Sequence, residues 1–265
     1  MYRLICLDID GTLLNSQHKI TAKVKAAVQK AAKRGLCPVL VSARMPQGMR
    51  FLLEELSLNT PMICYSGALL LDDAGTYAQK TLAAASVETI WTAAKKQQIH
   101  VSLYKNDRWY IEALDDWARE ESRITHITPQ IADYRQLLGH WQAAGDGPNK
   151  ILCLAEADKL QNFMNQLHLA DVTVYRSKPT YLEIGHGEAS KTAAIRLLAE
   201  KLHITREEIL AIGDNYNDID MLEYAGLGIA MGNAPPEVKA RANTTTATND
   251  ADGVASAIEK YCFGQ

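Results

Sequence analysis

The sequence predicts an α/β protein whose core is a parallel, doubly wound sheet, interrupted by a second α+β domain. Two observations carry this prediction. Strand-length apolar segments alternate with helical patterns up to residue 82, and the same alternation returns from residue 185 to residue 265. Between them, residues 83–184 contain pairs of adjacent strands instead. We therefore expect one discontinuous domain, 1–82 and 185–265, with domain 83–184 inserted.

The first part of the chain alternates between strands and helices. The apolar run Leu4–Leu7 is typical of a strand that is buried on both faces. The following helix has Thr21 as its candidate N-cap and Gly35 as its end. The next strand, helix and strand are predicted over CPVLVSAR, PQGMRFLLEELSL and PMICYSGALLLDD. This alternation is the pattern of a parallel sheet.

The inserted segment has a different character. We predict a helix, two strands and further helices up to a break at Asp146-Gly147-Pro148, and then a strand, a helix and two more strands. All four tryptophans lie in this segment, and we expect most of them in its core: Trp91, Trp109, Trp117 and Trp141. Adjacent strands between helices predict a small module with an antiparallel sheet.

The first pattern then resumes. Helices and apolar strands alternate to the end of the sequence, through KTAAIRLLAEKL, EEILAIGD, NDIDMLEYA, GLGIAM, PPEVKARA and GVASAIEKYCF. These segments complete the discontinuous domain.

Composition limits the classes of function. A net charge of −3 and the lack of a basic stripe predict no nucleic-acid partner. No apolar run is long enough to span a membrane and no targeting segment is recognisable, so we expect a cytoplasmic protein. None of the five cysteines is spaced as CxxC, which favours buried thiols over ligands or disulfides. We expect a monomer or a homodimer.

Two acids follow the first strand directly. Asp8 and Asp10 are two residues apart in an extended segment and therefore point to the same side. Like charges this close repel each other unless a cation, a shared proton or phosphate chemistry uses them. Gly11 allows a sharp turn after them. The alternative is a strand that ends in a solvated Asx-type turn.

Further polar residues close other predicted strands or open helices beside them. In a parallel sheet all of these positions fall on one edge. Carboxylates suit Mg²⁺, lysine supplies a charge for phosphate, and turn N–H groups bind phosphate as well. Each residue also has an ordinary structural explanation, such as helix capping by Asp214 or a solvated Lys191. The set is Asp8 with Asp10, Ser42 with Arg44, Lys191, and Asp214 with Asn217 and Asp218.

Together these motifs resemble those of the haloacid dehalogenase superfamily, and within it the Cof-type sugar-phosphatase-like hydrolases with a C2-type cap. The motif DxDGT is present as Asp8-Ile9-Asp10-Gly11-Thr12, and the strand-closing motif as Ser42-Ala43-Arg44. The lysine stands in Ala189-Ser190-Lys191-Thr192. The motif GDxxND is Gly213-Asp214-Asn215-Tyr216-Asn217-Asp218. The resemblance covers the whole chain and implies a Rossmann-like core with a substrate-selecting cap.

The resemblance also implies a function. The chain would be a Mg²⁺-dependent phosphatase that hydrolyses small phosphomonoesters, such as sugar phosphates or phosphorylated cofactors, through an aspartyl phosphate. Asp8 would be the nucleophile and Asp10 the general acid and base. Mg²⁺ would be held by Asp8, the Asp10 backbone carbonyl and Asp214. Asp218 would orient Lys191 or a water bound to the metal. Arg44, like Asp218, would support the site without touching the substrate. The phosphate would be bound by the Ile9 and Ala43 backbones, Ser42, Lys191 and Asn217.

The sequence departs from the family pattern at several positions. Ser66 stands where the family often has asparagine, and Thr192 follows the lysine where glycine is common. Neither change removes a charged catalytic group. Ser66 lacks the amide side chain of asparagine, however, so the family pattern does not predict how the substrate is contacted there. Two other functions stay as alternatives: a sugar phosphomutase of the same superfamily, and a regulatory protein that senses phosphate without hydrolysis.

Overall fold

The structure is a computed structural model that describes residues 1–264. Its strands, in chain order, are β1 (Leu4–Leu7), β2 (Cys37–Val41), β3 (Met62–Cys64), β4 (Leu69–Asp72), β5 (Gly75–Gln79), β6 (His100–Lys105), β7 (Arg108–Ile111), β8 (Gln130–Ile131), β9 (Lys150–Leu154), β10 (Val172–Lys178), β11 (Tyr181–His186), β12 (Ile209–Gly213), β13 (Leu227–Ala230) and β14 (Thr244–Thr245).

The helices lie between groups of these strands and after the last one. They are α1 (Ala22–Lys33), α2 (Gln47–Leu56), α3 (Ala84–Lys96), α4 (Asp116–Thr125), α5 (Tyr134–Ala143), α6 (Ala157–Gln166), α7 (Lys191–Lys201), α8 (Ile219–Tyr224), α9 (Pro236–Arg241) and α10 (Gly253–Phe263). Within residues 1–264, none of these helices combines the length and the apolar composition that crossing a membrane requires.

The chain divides into two compact units. The first contains residues 1–44, residues 49–78 and the chain from Ser190 onward, and the second contains Met45–Gly48 and Gln79–Ala189. These limits lie within a few residues of the predicted domain boundaries, except that the short segment Met45–Gly48 joins the second unit.

The first unit is built on a sheet with the strand order β14-β13-β12-β1-β2-β3-β4-β5. Strand β1 lies at its centre, paired in parallel with β12 and with β2. Leu4 and Cys6 pack in one core with residues of α7 and α8, while Ile5 and Leu7, on the opposite face, are fully buried too. Burial on both faces explains the continuous apolar run.

One edge of this sheet departs from the predicted parallel arrangement. Strand β4 runs antiparallel to β3, with Ile63 opposite Leu70. The segment predicted as one strand is therefore two. The cause is a tight turn, in which Tyr65, Ser66 and Gly67 have positive φ angles of 53°, 54° and 101°. The chain reverses there without the long crossover that a parallel strand needs.

Local capping explains the first helix. The Thr21 side chain accepts a hydrogen bond from the Val24 N–H, and Gly35, with φ +84°, follows the helix end. Both predictions for this helix are confirmed. Thr21 accepts one of the helix's otherwise unpaired N–H groups, and Gly35 adopts the left-handed conformation at little cost.

The second unit is a six-stranded sheet in the order β10-β11-β9-β6-β7-β8. All neighbouring pairs are antiparallel except β7 and β8, which are parallel. Helices α3, α5 and α6 pack against one face of the sheet in a shared apolar core. Three tryptophans are buried, at positions 91, 109 and 141, while Trp117 is half-buried.

Candidate active site

The acids predicted to meet do meet at one sheet edge. Asp8 follows β1 and Asp214 follows the neighbouring strand β12, in which Ile212 pairs with Leu7. Carboxylate oxygens of Asp8, Asp214 and Asp218 lie within 4.8 Å of one another. The carboxyl ends of parallel strands thus bring together residues that are far apart in sequence.

Lys191 lies between two of these acids. Its Nζ donates to Asp8 Oδ1 at 2.6 Å and to Asp218 Oδ1 at 2.5 Å. Lys191 is the first residue of α7, which Ser190 caps by accepting from the Ala193 N–H. A cation in the first turn opposes the helix dipole. Two buried carboxylates outweigh that unfavourable effect, because their charges are close and poorly screened. We call Asp8, Asp214, Asp218 and Lys191 the acid–lysine cluster.

Asp218 connects the cluster to the backbone. Its side chain is fully buried, and Oδ2 accepts from the N–H groups of Asp214 at 3.0 Å and Asn215 at 2.9 Å. Its other oxygen, Oδ1, accepts from Lys191. Both oxygens are therefore used inside the protein. This arrangement fits a residue that orients the lysine.

Two residues of the turn after β1 contact Asp214. The Thr12 hydroxyl donates to Asp214 Oδ1 at 2.9 Å. Gly11 has a φ of +86°, and a β carbon there would lie 2.3 Å from Asp214 Oδ2. The glycine is thus required both by the backbone conformation and by the space that the Asp214 carboxylate occupies.

The cluster carries more negative than positive charge, since three carboxylates face one ammonium. Burial raises the pKa of Asp8 well above its usual value, and the charge of Asp218 raises it further, although Lys191 opposes both. Burial also raises the pKa of Asp214 to about 6, with Asp218 again adding to the rise. For Lys191, burial acts to lower the pKa, but Asp218 and Asp8 raise it above the usual value. Lys191 therefore stays charged, and its single positive charge does not balance three carboxylates.

The acid–lysine cluster has the ligand atoms and the excess negative charge that suit Mg²⁺. The atoms that could coordinate a metal are carboxylate oxygens, which Mg²⁺ prefers as ligands. The buried acids also need positive charge that Lys191 alone does not supply. Asp8 and Asp214 are the residues that would hold the ion, since Asp218 is fully engaged by Lys191 and backbone N–H groups.

The Asp10 side chain lies outside the cluster. Its carboxylate accepts two hydrogen bonds from Arg44, from Nε at 2.9 Å and from Nη2 at 2.6 Å. The side chain is 53% exposed, whereas that of Asp8 is 9% exposed. The pair joins the turn after β1 to the loop after β2.

The expected phosphate-binding residues occupy the same edge by topology. Ser42 is buried after β2, and its hydroxyl accepts from the Arg44 N–H at 3.3 Å. Ile9 is buried, Ala43 is half-buried, and Asn217 is exposed in the short turn that leads to Asp218. Among the expected residues, the structure joins Asp8, Lys191, Asp218 and Asp214 closely and pairs Asp10 with Arg44.

Sequence reasoning missed two contributors. Thr12 belongs to a recognised motif, yet its bond to Asp214 depends on the fold. Asn233 follows β13, and its Nδ2 donates to the Gly11 carbonyl at 2.8 Å. Its only signal in the sequence is its position just after another apolar strand that ends at this edge.

Comparison with known proteins identifies the family. The sequence-family model for haloacid dehalogenase-like hydrolases matches residues 5–258 of this chain. A crystal structure of a haloacid dehalogenase-like hydrolase from Bacteroides thetaiotaomicron has a TM-score of 0.88 and 30% identity, with 98% of this chain and 99% of that chain covered. The chain belongs to the haloacid dehalogenase-like hydrolases.

Relatives at the sequence level agree. A Haemophilus influenzae protein with a provisional phosphatase name is 32% identical over 98% of each chain. A Bacillus subtilis 5-amino-6-(5-phospho-D-ribitylamino)uracil phosphatase is 30% identical over 98% of this chain and 95% of its own. An Escherichia coli pyridoxal phosphate phosphatase is 29% identical over 98% of each. The enzyme class is therefore a phosphatase.

Proposed function

We propose that the protein is a Mg²⁺-dependent phosphatase that hydrolyses small phosphomonoesters through an aspartyl phosphate formed on Asp8. The observation that carries the proposal is the acid–lysine cluster, whose oxygens lie within 4.8 Å of one another at the sheet edge. Relatives that act on phosphorylated cofactors and intermediates support a small phosphorylated metabolite as the substrate.

Asp8 is the nucleophile in this proposal. Its carboxylate oxygen attacks phosphorus, and the bond from phosphorus to the leaving oxygen breaks. Lys191 holds Oδ1 of Asp8 and fixes the orientation of the carboxylate. When bound by Asp8, the Asp10 carbonyl and Asp214, Mg²⁺ supplies positive charge that offsets the repulsion between the acids and the charge of the phosphoryl group.

Asp10 moves the protons in this proposal. It gives a proton to the leaving oxygen and later takes one from the water that attacks the aspartyl phosphate, which releases inorganic phosphate and regenerates Asp8. The exposed position of its carboxylate supports proton exchange with water. Arg44 fixes the direction of that carboxylate through two hydrogen bonds.

The remaining assignments follow the same edge of the sheet. We propose that Ser42, Lys191, Asn217 and the backbones of Ile9 and Ala43 bind the phosphate, and that Asp218 keeps Lys191 in place. The unit Gln79–Ala189 would select the substrate, as its insertion within the chain of the first unit suggests. Within residues 1–264, none of the five cysteines forms a disulfide, which supports a cytoplasmic location.

The test is turnover of p-nitrophenyl phosphate with and without Mg²⁺, in the wild type and in Asp8→Asn. We expect Mg²⁺-dependent phosphate release by the wild type and less than about 1% of that rate in Asp8→Asn, because an amide cannot replace a carboxylate nucleophile. Asp220→Asn, which changes an exposed acid on α8, is the matched control and should keep wild-type turnover.

The other outcomes separate the alternatives. A phosphomutase would release little phosphate and would be stimulated by a sugar bisphosphate. A folded wild type that binds Mg²⁺ without turning over any member of a phosphorylated-metabolite panel would favour a regulatory protein. Turnover by Asp8→Asn above about 1% would remove Asp8 as the nucleophile.

A further inference from the structure

Asn233 connects two parts of the proposed cation site. It lies in the loop between β13 and α9, at the edge that also carries Asp8 and Asp214. Its Nδ2 donates to the Gly11 carbonyl at 2.8 Å and lies 3.5 Å from Asp214 Oδ2. One amide group thus reaches both the turn after β1 and the carboxylate after β12.

Asn249 sets the orientation of that amide. The Asn249 backbone N–H donates to Asn233 Oδ1 at 3.0 Å. A backbone N–H can only donate, so the amide oxygen must face it and the NH₂ group must face Gly11 and Asp214. The Asn249 side chain itself donates to the Leu14 carbonyl at 2.9 Å. The two residues, which we call the asparagine pair, therefore hold the turn after β1 at Gly11 and at Leu14.

The spacing between this turn and Asp214 is tight. A β carbon on Gly11 would lie 2.3 Å from Asp214 Oδ2, while Thr12 donates to Asp214 Oδ1. The same turn contains a hydrogen bond from the Leu13 N–H to the Asp8 carbonyl at 3.3 Å. A displaced turn would therefore change the position of Asp214 relative to Asp8.

We infer that Asn233, oriented by Asn249, is a positioning residue for the cation site: it fixes the Gly11 turn and the Asp214 carboxylate so that Asp8 and Asp214 can share Mg²⁺. The inference rests on the proposed function, because it concerns the same ion. Asn233 acts through Gly11 and Asp214 and not on the reacting atoms. Residues that orient metal ligands in this way commonly change metal affinity by about 10–100-fold when they are mutated.

The experiment measures Mg²⁺ binding to metal-free protein by isothermal titration calorimetry, in the wild type, Asn233→Ala and Asn233→Leu. Both variants lose the donor, and leucine keeps nearly the same shape. We expect Mg²⁺ to bind about 10-fold more weakly or worse in each. The Mg²⁺ concentration for half-maximal p-nitrophenyl phosphate turnover should rise in parallel, while kcat at saturating Mg²⁺ changes less, because Asp8, Asp10 and Lys191 remain.

Asn243→Ala is the matched control. The Asn243 side chain accepts from the Gly228 N–H at 2.7 Å, a single bond to the backbone of β13. Its loss should leave Mg²⁺ affinity within about twofold of the wild type, since it touches none of the cluster. Thermal unfolding of every variant establishes that it is folded.

Each possible result supports or overturns the positioning role of Asn233. Wild-type Mg²⁺ affinity in Asn233→Ala and Asn233→Leu overturns the positioning role and leaves the proposed function intact. Failure of both variants to fold also overturns it, since Asn233 would then be structural. A wild-type protein that neither binds Mg²⁺ nor releases phosphate removes the proposed function, and the inference with it.

Discussion

The ammonium group of Lys191 lies 2.6 Å from Asp8 Oδ1, and the two side chains are only 3% and 9% exposed. Asp218, which is fully buried, accepts from the same ammonium at 2.5 Å. A buried cation between two acids has little net stabilising value, because desolvation offsets much of the attraction. Removing one partner is costly, however, because it leaves charges unpaired inside the protein. The arrangement is therefore better explained by function than by stability.

Replacement of Lys191 by methionine should destabilise the protein and abolish turnover. The change leaves Asp8 and Asp218 without their shared cation, at a cost of about 3–5 kcal/mol in the free energy of unfolding. Urea unfolding in the presence of a chelator measures this cost. Lys33→Met, at an exposed position on α1, is the control and should change the free energy of unfolding little. Equal stability of the two variants would show that the cluster acids are not held by Lys191.

Replacement of Asp214 by asparagine should remove the stabilisation that Mg²⁺ gives. Burial and Asp218 raise the pKa of Asp214 to about 6, so above that pH the folded protein holds a charge that burial disfavours and that the unfolded chain leaves in water, which destabilises the fold. We therefore expect metal-free Asp214→Asn to melt at a higher temperature than the wild type at pH 8, with a smaller difference at pH 5. Saturating Mg²⁺ at 100 times its Kd should stabilise the wild type by about 2.7 kcal/mol.

Differential scanning calorimetry with and without Mg²⁺ tests this prediction. The Asp214→Asn variant should show almost no Mg²⁺-dependent rise in melting temperature, whereas Asp220→Asn should behave as the wild type does. An undiminished Mg²⁺ effect in Asp214→Asn would place the ion elsewhere.

Much of the framework is accessible from the sequence because it depends on local chemistry. The apolar run Leu4–Leu7 and the capping residue Thr21 each determine an element through their own side chains. The direction of β4 is not accessible in this way, since it depends on positive φ angles at Tyr65 and Ser66, which most non-glycine residues avoid.

For the candidate site too, the sequence predicts which residues gather but not which contacts their side chains make. Motif residues reveal which acids and which lysine gather at the edge, because strand ends of a parallel sheet converge there. They do not reveal that Lys191 bonds both Asp8 and Asp218, or that Asp10 pairs with Arg44, since these contacts depend on side-chain directions across different loops. The contacts of Asn233 are not predictable from the sequence for the same reason.

Replacement of Gly11 by alanine should weaken Mg²⁺ binding, and Gly35 provides a matched control. The two glycines have φ angles of +86° and +84°, so alanine introduces a similar backbone strain at each. A β carbon at Gly11 would lie 2.3 Å from Asp214 Oδ2, while one at Gly35 would meet nothing within 4 Å. Gly35→Ala should therefore cost only about 1 kcal/mol, the usual cost of a left-handed alanine.

Calorimetric titration with Mg²⁺ and turnover of p-nitrophenyl phosphate distinguish the two glycine variants. We expect Gly35→Ala to keep wild-type values in both measurements and Gly11→Ala to lose at least about 10-fold in Mg²⁺ affinity, because Asp214 must move. Equal behaviour of the two variants would mean that backbone strain alone explains the need for Gly11.

Replacement of Glu183 by glutamine should destabilise the second unit in a pH-dependent way. Burial would raise the pKa of Glu183, but Lys150 and hydrogen bonds from Ser177, Lys150 and Tyr175 hold it below its usual value. Lys150 Nζ lies 3.2 Å from Glu183 Oε2, with both side chains largely buried. A lowered pKa means that the pair stabilises the fold above the unfolded pKa of about 4.3, and that this contribution is lost as the pH falls through the folded value.

We therefore expect Glu183→Gln to lose about 3 kcal/mol of unfolding free energy at pH 7, because Lys150 loses the carboxylate of Glu183, and distinctly less at pH 3. Urea unfolding at the two pH values, followed by tryptophan fluorescence, reports on this unit because all four tryptophans lie in it. Glu188→Gln disrupts the exposed ion pair between Lys80 and Glu188 and should change little at either pH, since water screens that pair. A Glu183→Gln deficit that is the same at pH 7 and pH 3 would show that the variant loses packing and not an ionised partner of Lys150.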